Sequence, residues 1–202
     1  MVQFAIIIKK MNYIYGSIYI LGKKLYNYIT TVPIIHSNNE SIVIRTDVGL
    51  PWYLKYKYFF SNANQVVTNL FLGSSFNAYN KNELNKKQIN IILNVTDEIS
   101  NFYETENNLT YYKFPIKDNN KDDISSILNE TYNIIENHIS NGDKILIHCY
   151  MGASRSASVV IHYIMKKYGL SYETTLRLIK NKRPIVNLTE KFQTTLKQKS
   201  FM

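Results

Sequence analysis

From Val66 onward, apolar residues fall into short runs separated by segments that repeat at helical spacing. Val66–Leu72, Ile89–Val95, Leu109–Phe114 and Lys144–Ile147 read as strands, and Ile89–Val95 has the character of a strand buried on both faces. Gly73-Ser74-Ser75 closes the first strand and Pro115 closes the third. Asn82–Lys87 reads as a short helix. A longer helix opens at Asp122-Asp123, acids suited to a positive helix end, and ends before Gly142. Its apolar face is Ile124, Ile127, Leu128, Ile134 and Ile135. Ala157–Lys167 is a helix stopped by Gly169. Ser171 caps Tyr172–Lys182, Pro184 ends that helix, and Thr189–Lys199 forms the last one. Strands alternating with helices predict an α/β fold, a central, mostly parallel sheet flanked by helices.

The polar stretch Ser61–Asn64 divides the chain into an extension, residues 1–60, and a domain, residues 61–202. A hydrophobic share of 45% supports a core and argues against global disorder. The formal charge is +9, of which +5 falls on residues 1–60 and +4 on the remainder. Such an excess suits anionic partners: phosphoproteins, nucleic acid or an acidic membrane. The apolar start is broken by Lys9-Lys10 and Lys23-Lys24, leaving a 12-residue uncharged run, Met11–Gly22. That is short of the ~20 residues a spanning helix needs. No small-residue cleavage site follows well, so neither a transmembrane segment nor a signal peptide is expected. One cysteine excludes an internal disulfide and points to a reducing compartment, intracellular and cytoplasmic.

That cysteine sits in His148-Cys149-Tyr150-Met151-Gly152-Ala153-Ser154-Arg155-Ser156, between an expected strand and an expected helix. A strand turning sharply into a helix leaves backbone N–H groups pointing into the turn, which makes an anion site. Positive potential there favours the thiolate form of Cys149, and a thiolate beside a phosphate cradle is a nucleophile aimed at phosphorus.

The pattern Cys, five residues, Arg resembles the cysteine-based phosphatases, and His-Cys-x-x-Gly-x-Ser-Arg-Ser resembles the dual-specificity protein phosphatases, here a small atypical form with an N-terminal extension. The resemblance spans about Gln65–Leu196. It includes Asn69–Ser74, Ile92–Thr96, the strand running to Pro115, and Arg183-Pro184, and it departs at Ile185-Val186-Asn187, which lacks the proline often found before that Asn. It implies the cysteine-based phosphatase fold, with a phosphate loop between a strand and a helix. It also implies hydrolysis of phosphotyrosine, phosphoserine and phosphothreonine in protein substrates through a phosphocysteine intermediate, with no metal or other cofactor.

On that reading Cys149 is the nucleophile. The N–H groups of Tyr150, Met151, Gly152, Ala153, Ser154 and Arg155 hold phosphoryl oxygens, and Arg155 grips two of them in a planar fork. Ser156 assists departure of the thiolate, and His148 orders the loop and tunes the thiol. The general acid belongs on a loop after a strand: Asp118, which follows Phe114–Lys117, is chosen over Asp122 and Asp123, whose place at a helix start explains them. The loop has no Lys, which family members acting on phosphoinositides usually carry. Two alternatives are an RNA 5′-triphosphatase, against which Ser-Arg-Ser speaks, and a phosphoprotein-binding pseudoenzyme, against which intact Cys149, Arg155 and Asp118 speak. In the extension, Lys23–Ile29 loosely matches a docking peptide for kinases, though a Tyr-rich amphipathic piece packed on the domain fits the same residues better. None of the catalytic parts falls within residues 1–60.

Overall fold

The structure is a computed structural model, and it describes residues 52–119 and 121–199. A division of the chain falls between Lys57 and Tyr58, and the unit from Tyr58 onward carries the sheet. Five strands form one mixed sheet in the order β1-β2-β5-β3-β4. They are β1 Asn64–Val67, β2 Leu70–Gly73, β3 Ile91–Asn94, β4 Thr110–Lys113 and β5 Ile145–His148. The β2/β5, β5/β3 and β3/β4 pairs are parallel, and β1 joins β2 antiparallel at the edge. The helices are α1 Trp52–Phe60, α2 Ser75–Tyr79, α3 Lys81–Lys87, α4 Ser125–Ser140, α5 Arg155–Tyr168, α6 Tyr172–Lys182 and α7 Glu190–Lys199.

Alternate residues of the central strands face opposite layers, as the strand period of two requires. Leu70, Leu72, Leu93, Ile145 and Ile147 join Leu128 and Ile135 of α4, Val160 and Ile164 of α5, Ile179 of α6 and Phe192 of α7. Phe71, Ile92 and Leu146 face the other way, onto Ala78 and Leu84 of α2 and α3. Each such burial contributes roughly 1.5–3 kcal/mol. The register aligns Gly73, His148 and Asn94 at the carboxyl ends of β2, β5 and β3. Cys149 therefore leaves the sheet from its central strand, where open α/β sheets bind ligands.

Two features differ from the expected elements. The single strand expected over Val66–Leu72 is a hairpin: Thr68-Asn69 turns the chain, with Asn69 at φ 62°, and Val67 pairs with Leu70. Asn tolerates that left-handed conformation in a two-residue turn. Gly73-Ser74-Ser75 does more than end a strand, because Ser75 starts α2, and Asn77 Oδ1 accepts from the Ser74 N–H at 2.8 Å. α1, Trp52–Phe60, falls where no element was expected, and the other elements lie near the expected ones. The helix expected from Asp122 begins at Ser125, whose N–H donates to the Asp123 carboxylate at 2.9 Å. Among the described residues no helix is long and apolar enough to cross a membrane. Lys23–Ile29 and most of the extension lie outside the described residues.

Candidate active site

Cys149 is buried at 1% exposure, and two donors converge on its sulfur. The Gly152 N–H and the Ser156 hydroxyl each donate to Sγ at 3.2 Å. This is the geometry that holds negative charge on sulfur.

The loop around the thiol is shaped by what holds its carbonyls. Tyr150 O accepts from the N–H of Ser75 at 3.0 Å and from its hydroxyl at 3.3 Å. Met151 O and Gly152 O accept from Arg183 Nη2 at 2.8 Å and Nε at 2.7 Å. Ala153 O accepts from the Asn187 N–H at 3.0 Å, and Ser154 O accepts from the Ser158 N–H at 2.8 Å. In a trans peptide the C=O and the following N–H point in opposite directions. Drawing five successive carbonyls outward turns the N–H groups of Met151 to Arg155 inward, and the Gly152 N–H on Sγ is one of them.

Gly152 is required by both conformation and space. Its φ is +70°, and a Cβ there would lie 2.4 Å from Gly73 O and 2.8 Å from Arg183 Nη2.

Arg155 opens α5 and is buried at 4% exposure. Its Nη1 donates to Glu98 Oε2 at 2.8 Å and to Ile116 O at 3.1 Å, and Asp118 Oδ2 lies 3.9 Å from Nε. Burial works against its charge, but Glu98, Cys149 and Asp118 outweigh that and raise its proton affinity. Glu98 is itself partly desolvated, which opposes its charge; the Arg155 contact prevails and holds its carboxyl below the usual range. Arg155 Nε is buried with no hydrogen-bond partner, a donor beside the thiol available to an oxyanion.

These are parts that a phosphate-ester site built on a thiol would use. The dual specificity phosphatase catalytic domain matches residues 70–201. The chain belongs to that family. It is 34% identical over 161 residues to protein phosphatase Slingshot homolog 2 of Homo sapiens, covering 80% of this chain and 10% of that protein. It is 39% identical over 124 residues to Slingshot homolog 3 of Mus musculus, covering 61% of this chain and 19% of that protein. The chain thus spans a small part of the curated relatives it matches. Among solved structures, the crystal structure of DUSP15 superposes with a TM-score of 0.66 at 27% identity, covering 69% of this chain and 88% of that chain.

Within this dual specificity phosphatase domain, the expected site residues come together around one loop. Tyr150 is exposed, with its ring 5.6 Å from that of Phe59, while Ser154 and Ser156 are buried. His148 is buried, with Nδ1 3.3 Å from Cys149 O, and burial pushes its pKa down to about 4, so its ring is neutral at neutral pH. Asp118 reaches the site through Arg155 and is 37% exposed. The rival acids are occupied elsewhere. Asp122 accepts from the Lys117 N–H at 2.9 Å, which holds it below the usual carboxylate range; Asp123 accepts from Ser125, with the same effect.

Two residues escaped the sequence reading. Glu98 lies 57 positions from Arg155, and nothing local marks it. Arg183 was noted within Arg183-Pro184, but its hold on the loop shows only in three dimensions. It is fully buried and also reaches Asn64 Oδ1 at 2.9 Å and Tyr58 O at 3.2 Å.

Proposed function

We propose that this chain hydrolyses phosphate monoesters on protein phosphotyrosine, phosphoserine and phosphothreonine through a phosphocysteine intermediate. The observation that carries the reading is the set of outward-held carbonyls, which turns five amides around Cys149 beside the buried Arg155. The Cys149 thiolate attacks phosphorus, forming the S–P bond as the bond to the substrate oxygen breaks. The Asp118 carboxyl protonates that oxygen. Water then attacks the phosphocysteine, giving its proton to the Asp118 carboxylate, while the Ser156 hydroxyl donates to the departing sulfur. Arg155 and the inward amides meet the equatorial oxygens, where the transition state spreads its charge. His148, neutral and packed at the end of β5, positions the loop.

The named relatives are protein phosphatases, which supports protein substrates over triphosphate-ended RNA. Intact Cys149, Arg155 and Asp118 support turnover over binding alone. The free, buried Cys149 supports work inside the cell, in the cytoplasm. We place the start of the catalytic unit at Tyr58, three residues before the polar break at Ser61, because the Tyr58 and Phe59 carbonyls serve Arg183 and Ser74. The test is phosphate release from phosphotyrosyl and phosphoseryl peptides and from triphosphate-ended RNA. Peptide turnover that disappears in Cys149→Ser is expected; release from RNA alone, or turnover surviving in Cys149→Ser, defeats the reading.

A further inference from the structure

Among the described residues two imidazoles are buried with an unpartnered ring nitrogen: His148, which adjoins the loop already described, and His162, which does not. His162 lies in α5 seven residues beyond Arg155, about 10 Å along the helix axis. It is 4% exposed, and its Nδ1 has no hydrogen-bond partner. It lines a cavity of about 530 Å³ together with Lys166, Lys199, Ser171, Met165 and Leu170. That volume is within the ~300–1,000 Å³ typical of small-molecule pockets and exceeds what a bare ion fills.

The surroundings of His162 are positive. Burial first, then the charges of Lys166 and Lys199, push its pKa down to about 4. The neutral ring keeps one N–H to donate. Neighbouring Lys167 pairs with Glu136, whereas the Lys166 amine lies 4.2 Å from the centre of the Tyr132 ring, and among the described residues no carboxylate pairs with it. Ser171 caps α6, whose first turn adds the positive end of a helix dipole; that turn also carries Glu173, which does not line the cavity. No Asp or Glu lines the cavity among the described residues. The acid that senses Lys199 is Asp123, and its carboxylate is engaged by Ser125. Met165 and Leu170 supply an apolar wall.

We propose that this cavity is a second anion site, separate from the Cys149 loop, which binds a small organic phosphate. Lys166, Lys199 and the first turn of α6 hold the phosphate, His162 donates to it, and the organic body lies against Met165 and Leu170. The proposal does not depend on catalysis at Cys149. The test titrates the full chain with phenylphosphonate, which has no ester bond to cleave, and separately with inorganic phosphate. His162 ring signals and the Gly152 amide signal are followed by NMR. The His162 signals are expected to move saturably on a binding curve of their own, about threefold tighter for phenylphosphonate than for phosphate because of the apolar wall. In Lys166→Gln/Lys199→Gln that curve is expected to weaken by roughly tenfold, while the Gly152 curve and turnover of an aryl phosphate stay unchanged. The single variant Lys166→Gln, expected to give a smaller loss, serves if the double variant does not fold. His162 signals that stay still while Gly152 saturates overturn the proposal. So do signals that move equally with sodium chloride at matched ionic strength, or that respond undiminished in the lysine variants.

Discussion

Arg155 keeps its charge where water barely reaches, and the contact that secures it is Glu98. A carboxylate at 2.8 Å on Nη1, with Ile116 O at 3.1 Å, fixes the guanidinium plane and leaves Nε without a hydrogen bond, 3.9 Å from Asp118 Oδ2. Glu98→Gln keeps an acceptor but loses the charge. It is expected to lower kcat by roughly 10–100-fold, the worth of a hydrogen bond to a charged group, with a smaller change in KM. Stopped-flow turnover of an aryl phosphate measures both, and unchanged kcat shows that Ile116 O alone positions the fork. Asp118 is tested by its leaving group. Asp118→Asn is expected to depress turnover of phosphoserine peptides by about 10²–10⁴-fold and that of nitrophenyl phosphate much less, since nitrophenol departs unaided. The alkaline limb of the pH–rate profile should vanish with it. If that limb survives in Asp118→Asn and disappears in Asp122→Asn, the acid has been misassigned. The thiol and the arginine were legible because Cys149 to Arg155 is one loop whose spacing is its geometry. Glu98 was not, because its role arises only when β3 and α5 bring two distant loops together.

At the scale of elements, the loop is held by its surroundings more than by itself. α2 takes the Tyr150 carbonyl, the end of α6 takes those of Met151 and Gly152, and the segment before α7 takes that of Ala153. Gly152 is where this clamping leaves no room. Gly152→Ala adds the cost of a left-handed residue, roughly 1–2 kcal/mol, to a Cβ only 2.4 Å from Gly73 O. The variant is expected to lose both thermal stability and turnover, checked by calorimetry and an aryl phosphate assay. Native Tm and kcat would show that the loop can move away from β2. The α/β alternation and α6 were readable because helix caps and apolar runs are local signals; Ser171, for instance, accepts from the Thr174 N–H as its position before Tyr172 suggests. The hairpin at Thr68-Asn69 was not, because the residues around the turn form one unbroken strand-like run and only the positive φ of Asn69 divides it. α2 was hidden likewise, since Ser74-Ser75 reads as a stop until Asn77 is seen to accept from the Ser74 N–H.

For the molecule as a whole, the sequence shows where the chemistry lies but not where its support begins. The composition break at Ser61 is real as polarity, yet two residues before it, Tyr58 and Phe59, contact the residues around the loop. Ser74, fully buried, donates to Phe59 O at 2.7 Å, and Arg183, also fully buried, donates to Tyr58 O at 3.2 Å. The Phe59 ring lies 5.6 Å from that of Tyr150 and 6.3 Å from that of Phe76. A chain beginning at Ser61 loses both acceptors and the aromatic contacts while keeping Cys149, Arg155 and Asp118. Leaving a buried donor unmatched costs about 1–3 kcal/mol, offset where water enters the gap. Such a chain is therefore expected to fold, to melt several degrees below one beginning at Trp52, and to turn over an aryl phosphate more slowly because Arg183 holds Met151 and Gly152 less firmly. Calorimetry and initial rates on the two chains decide it. Equal Tm and equal kcat would show that Tyr58–Phe60 are dispensable and that the catalytic unit starts at the polar break. A lower Tm with an unchanged kcat would confine their role to stability and leave the loop to Ser75, Arg183 and Asn187.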